Sequence, residues 1–144
     1  MLTLNEIQTL PIGAGSIRVL ASGEWTDGQH ETFEFVVPPG SPGPGGHVHD
    51  DADEVFAVLE GTAEFHLGEA TLIAKPGTTV VAPRGLPHHW RAVGGVTLRM
   101  VVTFTPAIGM EHYFGELSVM LARGWPPTQE EMESLWSRYD TRPA

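Results

Sequence analysis

The sequence predicts a mainly β fold, a sandwich or a barrel, closed at its C-terminal end by a short pair of α-helices. Three observations carry that expectation. From Ser16 to Thr105 short β-type runs are cut by glycine and proline at regular intervals, the pattern of all-β sandwiches and barrels. Within Val96–Phe104 the residues Leu98, Met100, Val102 and Phe104 alternate with Thr97, Arg99, Val101 and Thr103. That places one fully apolar face inward. After Pro106 the apolar spacing changes from that of a strand to that of a helix.

The strands expected in order are Ile17–Ala21, Glu31–Val37, His47–His49, Glu54–Glu60, Thr62–Leu67, Ala70–Ile73, Thr78–Val81, His88–Ala92 and Val96–Phe104. Each holds β-branched or aromatic residues, and most end near a turn signal such as Glu60-Gly61, Leu67-Gly68, Pro76-Gly77 or Gly94-Gly95. The proline- and glycine-dense stretch Pro38–Gly46 reads as a loop inside the domain, because only 37 residues precede it. Tyr113, Phe114, Leu117, Met120 and Leu121 recur at helical spacing, with Gly124 as the stop. A second helix opens at Thr128, whose hydroxyl forms a capping box with Glu131. Its stripe is Met132, Leu135, Trp136 and Tyr139. The simplest role for this tail is packing against the outside of the sheet.

A length of 144 residues suits one domain, 1–144, with the β part over about 16–105 and the helical extension over about 106–140. The chain carries 18 acidic and 8 basic residues, a formal charge of −10. This disfavours nucleic acid and anionic membrane as partners, since both call for a basic surface. Cysteine is absent, which excludes disulfides, thiolate metal sites and cysteine nucleophiles. Met1–Ser16 has neither a basic nor a continuous apolar stretch of the signal-peptide kind, and no apolar run approaches the roughly 18–20 residues that span a bilayer. The expectation is a cytoplasmic protein.

Chemistry concentrates in His47-Val48-His49-Asp50-Asp51-Ala52-Asp53-Glu54. Residues two apart on a strand project to one face, so His47 and His49 can present both imidazoles to one point. A short turn returns the chain, and Glu54 opens the next strand. Further on, Pro83 and Gly85 make a turn that delivers His88 to another strand. Three imidazoles and a carboxylate suit a divalent transition metal. On a six-coordinate ion four protein ligands leave two positions open, as a catalytic site requires. His89 alternates to the opposite face from His88. His30, His66 and His112 have no such register and default to surface or core. Asp50, Asp51 and Asp53 read as a solvated acidic turn within reach of the site. Trp90, Phe56 and Val58 share registers with the ligand candidates, and would line either a pocket or the core.

These residues resemble the two motifs of the cupin superfamily. The first is matched by His47, His49, Glu54 and Gly61, with Ser41 where the leading glycine stands. The second is matched by Gly77, Pro83, Gly85 and His88, with Ala92 at the closing asparagine position. The spacer between Gly61 and Gly77 is compact, like that of microbial cupins. The resemblance covers about Gly40–Ala92 by motif and Ser16–Thr105 by strands. It implies a jelly-roll β-barrel with one divalent metal (Fe, Ni, Mn, Cu or Zn) held inside by His47, His49, Glu54 and His88. The helical tail, opening on Glu111-His112-Tyr113-Phe114, is similar to that of small quercetinase-like cupins.

The implied function is metal-dependent chemistry on a small molecule in the barrel, foremost a quercetinase-like dioxygenation of an aromatic or enol substrate. Glu54 would be both a ligand and the catalytic base. A non-redox cyclase, isomerase, decarboxylase or lyase is the alternative, and a ligand-binding cupin without turnover is the third reading. Cupins commonly dimerise through edge strands, so the family implies a homodimer in which Leu2–Ile17 pairs across the interface.

Overall fold

The computed structural model describes residues 8–124 and 126–144. In chain order the elements are β1 (Thr9–Ile12), β2 (Gly15–Ala21), β3 (Glu31–Val37), β4 (His47–Val48), β5 (Asp53–Glu60), β6 (Thr62–Leu67), β7 (Ala70–Ala74), β8 (Thr79–Ala82), β9 (His88–Val93) and β10 (Leu98–Thr105). The helices α1 (Met110–Leu121) and α2 (Gln129–Trp136) follow, and β11 (Arg142–Pro143) ends the chain. The strands form two antiparallel sheets, β1-β2-β3-β10-β5-β8 and β11-β4-β9-β6-β7, and not one continuous barrel. Of the sandwich or barrel the sequence predicted, this is the two-sheet form, and it fits the jelly roll that the resemblance implies.

The core lies between the sheets. β10 sits between β3 and β5, pairing Met100 with Phe35 and Val58, and Val102 with Phe33 and Phe56. Its alternating residues Leu98, Met100, Val102 and Phe104 are all fully buried, as expected. Burying each such side chain contributes roughly 1.5–3 kcal/mol. The expected strands are all present, with ends moved by one or two residues.

β1 and β11 were not foreseen as sheet members within this chain. Of the segment expected to pair across a dimer, residues 2–7 lie outside the described residues. Leu10, Pro11 and Ile12 pair with Ile17, Ser16 and Gly15 in a hairpin of the same chain.

Both helices form where their apolar spacing placed them. Thr128 Oγ1 accepts from Glu131 N (3.2 Å) and Glu131 Oε2 accepts from Thr128 N (2.8 Å), completing the capping box. The expectation that the tail packs outside the sheet is corrected. The Phe114 ring meets Phe33 and Phe35, on the inner face of β3, edge-on at 5.1 and 5.4 Å. Met110, Tyr113 and Leu135 are buried with them in the same core. Helical periodicity identifies the apolar face of a helix, not the surface that covers it, and here that surface is the interior. Glu31, almost fully buried on β3, fastens the junction by accepting from the amides of Ile108 (3.1 Å) and Met110 (2.9 Å). It caps α1, whose own N-cap, Gly109, offers no side chain. Among the described residues no helix is long and apolar enough to cross a membrane.

Candidate metal centre

The structure brings His47, His49, Glu54 and His88 together. All four are buried, and one ligand atom from each lies within 4.8 Å of the others. His47 stands on β4 opposite His88 at the start of β9, and Glu54 enters from β5 of the other sheet. Ring centroids are 4.4 Å apart for His47 and His88, 4.8 Å for His47 and His49, and 5.4 Å for His49 and His88. Glu54 Oε2 lies 2.9 Å from His88 Nε2 and 3.2 Å from His49 Nε2.

The turns that hold these residues follow from local chemistry. Leu86 N donates to Pro83 O, and Gly85 takes φ +81°, so the expected Pro83–Gly85 turn forms. Gly85 N then donates to His49 O at 2.7 Å, tying this turn to the histidine loop. At Gly43 the loop passes Trp90 so closely that a Cβ would stand 2.0 Å from the Trp90 carbonyl oxygen, and φ is +67°. The position of the family's closing asparagine, Ala92, is bound through its backbone, Ala92 N donating to Ser41 O at 3.1 Å.

Each histidine has its Nδ1 committed to a backbone carbonyl: His47 to Gly45 (2.8 Å), His49 to Asp140 (2.9 Å) and His88 to Leu86 (2.9 Å). A carbonyl only accepts, so each Nδ1 carries hydrogen, and in the neutral ring Nε2 presents a bare lone pair to the cluster. That is the orientation metal-bound histidines adopt. Two bare lone pairs facing the Glu54 carboxylate at 2.9 and 3.2 Å leave the centre short of positive charge. Imidazolium protons or a cation must supply it.

Burial pushes His47 down to about 4, against the pull of the Glu54 charge. Burial also opposes charge on His49, but its contacts with Glu54 outweigh this and raise it. For Glu54, burial is again the largest influence and is upward. Hydrogen bonds to it from the facing Nε2 atoms of His49 and His88, which form where those atoms carry hydrogen, overcome it and bring the carboxyl to about 2. Two donors on one ion at about 2.1 Å stand no more than about 4.2 Å apart, within small side-chain adjustments of the present spacing. The donor set therefore fits a divalent transition metal.

The cluster forms part of the wall of a cavity of about 610 Å³, within the usual range for small-molecule sites. Its other walls come from β2 and β3, the 38–46 loop, and α1 and α2. Trp90 lines it, whereas Phe56 and Val58 pack in the core. Apart from His47, His49 and Glu54, no charged or imidazole group among the described residues lines the cavity, and neither lysine nor arginine does.

Several features were missed by the sequence reading. Asp140 accepts from the amides of Asp50 (3.1 Å) and Asp51 (2.9 Å) as well as from His49. Thr141 Oγ1 lies 3.3 Å from His49 Nδ1, and Arg142 pairs with Asp50 at 2.7 Å. Nothing periodic marks this segment, so no local signal could have found it. Asp53, expected only to be solvated, binds the backbone and guanidinium of Arg84. His89 lies away from the cluster and stacks on His66 at 4.3 Å, on the face that alternation gave it. His66 also bonds Glu64, and His30 and His112 are exposed.

A family model described as a cupin domain matches residues 33–104. No curated protein matches the sequence closely enough to count as a relative. Among solved structures, the chain is similar to KdgF from Halomonas sp., with a TM-score of 0.61 at 19% identity over 74% of this chain and 94% of that one. It is also similar to an RmlC-like cupin from Shewanella frigidimarina, with a TM-score of 0.62 at 17% identity over 74% and 90%. Oxalate decarboxylase from Bacillus subtilis gives 0.60 at 17% identity, over 73% of this chain and 28% of the other. Likenesses at this identity speak to the fold.

Proposed function

The chain belongs to the cupin family, and on that premise we propose that it is a metal-dependent enzyme acting on a small, uncharged, largely apolar molecule. The favoured reaction is dioxygenation of an aromatic or enol substrate. One observation carries the reading: a compact polar cluster lies against an otherwise largely apolar chamber of about 610 Å³ that, among the described residues, contains no lysine or arginine. A carboxylate or phosphate substrate would find no lysine or arginine among the described residues of the walls, whereas a planar aromatic or enol with one or two oxygens matches them.

In this reading His47, His49 and His88 hold the metal through Nε2, their Nδ1 hydrogens anchored on carbonyls, and Glu54 is the fourth ligand. A divalent metal bound there would supply Lewis acidity toward substrate oxygens and, if redox-active, a path for electrons to dioxygen. Glu54 stays ionised across the ordinary pH range and accepts the proton of a substrate hydroxyl as general base. The apolar walls exclude water and so strengthen each of these electrostatic contacts.

A second reading is non-redox cyclisation, isomerisation, decarboxylation or lyase chemistry on the same cluster. It is favoured by the similarity to a protein named as a decarboxylase, an argument from fold alone.

The test uses metal-reconstituted protein and a panel of flavonols, catechols and enediols in an oxygen electrode. Dioxygen uptake in step with product supports the dioxygenase. Equal product rates without oxygen move the assignment to the second reading, and saturable binding without conversion overturns the enzyme. Glu54→Gln should retain the metal while turnover falls by about a hundredfold or more. Unchanged turnover in the metal-replete variant would remove Glu54 from the role of base.

A further inference from the structure

The helical wall of the cavity carries one polar group that this chemistry leaves unused. Tyr113, in the first turn of α1, lines the same chamber as His47, His49 and Glu54 and is only 8% exposed. Trp136 Nε1 lies 3.0 Å from Tyr113 Oη. An indole N–H can only donate, so the phenol oxygen accepts this bond and keeps its own hydrogen free. Among the described residues no acceptor takes that hydrogen. The Trp136 ring is 6.2 Å from that of His47, so a single indole links the phenol to the histidine cluster.

The phenol is also held in place. Its ring packs edge-on against Phe114 at 5.3 Å and Tyr139 at 5.9 Å, and the indole fixes its far end. Burial, helped by the Glu54 charge and only partly offset by the Trp136 bond, pushes the hydroxyl up to about 12, so it remains a donor. The phenol hydrogen thus faces an otherwise largely apolar wall, where an incoming oxygen acceptor would be its partner.

We propose that the Tyr113 hydroxyl donates a hydrogen bond to a carbonyl or enol oxygen of the substrate, selecting oxygen-bearing aromatics and setting which end faces the histidine cluster. Trp136 acts as the positioning residue behind it. The proposal rests on the reading of the cavity as a chamber for uncharged apolar substrates, and it adds the specificity element to that reading.

The test compares two probes, flavone and flavan, which share a carbon skeleton. Flavan lacks the carbonyl and the neighbouring double bond, so the change on substitution, and not the wild-type preference alone, reports the hydrogen bond. Flavone has no hydroxyl beside its carbonyl and is a poor chelator, so its binding reports on the cavity wall. Binding to the metal-loaded full chain is read by tryptophan fluorescence, alongside melting temperature and metal content. The wild type should prefer flavone. Tyr113→Phe should weaken flavone about three- to tenfold while leaving flavan binding and metal content unchanged; the lost Trp136 bond lowers the melting temperature without bearing on this selectivity. Trp136→Phe, which keeps the phenol and loosens its anchor, should weaken flavone by a smaller factor.

Equal weakening of both probes, or none, overturns the role of Tyr113 while leaving the apolar chamber intact. If neither probe binds the wild type, the apolar-substrate reading falls and takes this proposal with it. Should Tyr113→Phe unfold, Trp136→Phe decides alone: unchanged selectivity for flavone then overturns the proposal.

Discussion

Two walls of the cavity come from different stretches of chain, and they differ in how their polar atoms are held. On the strand side, His47 and His88 take their orientation from carbonyls only two residues away, Gly45 and Leu86. His49 takes its orientation from Asp140, 91 positions later, in the segment that also pairs β11 with β4. The strands and the turn after β4 supply the four candidate ligands, whereas the tail supplies the alignment of one of them and an apolar roof. A site of this kind can keep its ligands and still lose its shape when the tail is disturbed.

The strongest way to break the comparison is to cut the join between the walls. Glu31→Ala leaves the buried amides of Ile108 and Met110 without acceptors. This should cost about 1–3 kcal/mol for each amide, read by chemical denaturation.

The charge on Glu31 gives a finer test. Burial, outweighing its amide bonds, raises its pKa above the ordinary carboxylate value. The folded state therefore holds this proton over a pH range where the unfolded chain has released it. Stability from this group is greatest below the ordinary carboxylate value and falls as pH rises toward the raised one. The stability difference between wild type and Glu31→Gln should shift in favour of the wild type between pH 7 and pH 5. An identical difference at both values would contradict the assignment.

A smaller effect is expected from ending the chain at Tyr139. This removes the carbonyl on His49, the Asp140 bonds to residues 50 and 51, and the Arg142–Asp50 pair. Loss of such an outer partner typically weakens metal binding by about 10- to 100-fold. Titration with zinc should find that drop without loss of the β spectrum. Undiminished affinity would mean that the tail is only a roof.

The same contrast explains how much was legible in the sequence. The strand wall was readable because its signals are local: two histidines two apart, a carboxylate after one turn, and a Pro83–Gly85 turn before His88. The capping box of Thr128 and Glu131 was readable for the same reason. β11 has only two residues, one of them a proline, and offers no alternation to detect. Asp140 acts across 91 positions of chain, which no spacing rule reaches. The tail's apolar stripes were identified correctly, but their burial against Phe33 and Phe35 depended on tertiary packing. That placement puts Tyr113 and Trp136, expected on stripes packed outside the sheet, in the cavity wall.

The central claim is that His47, His49, Glu54 and His88 hold one metal ion. Its most direct test is elemental analysis of protein purified without chelators or nickel resin, set beside His88→Ala prepared in the same way. The account predicts close to one transition-metal ion per chain in the wild type, retained or restored on titration, and its loss in the variant at unchanged fold. A wild type that holds no metal and takes none up, or a variant that binds it equally well, would contradict it.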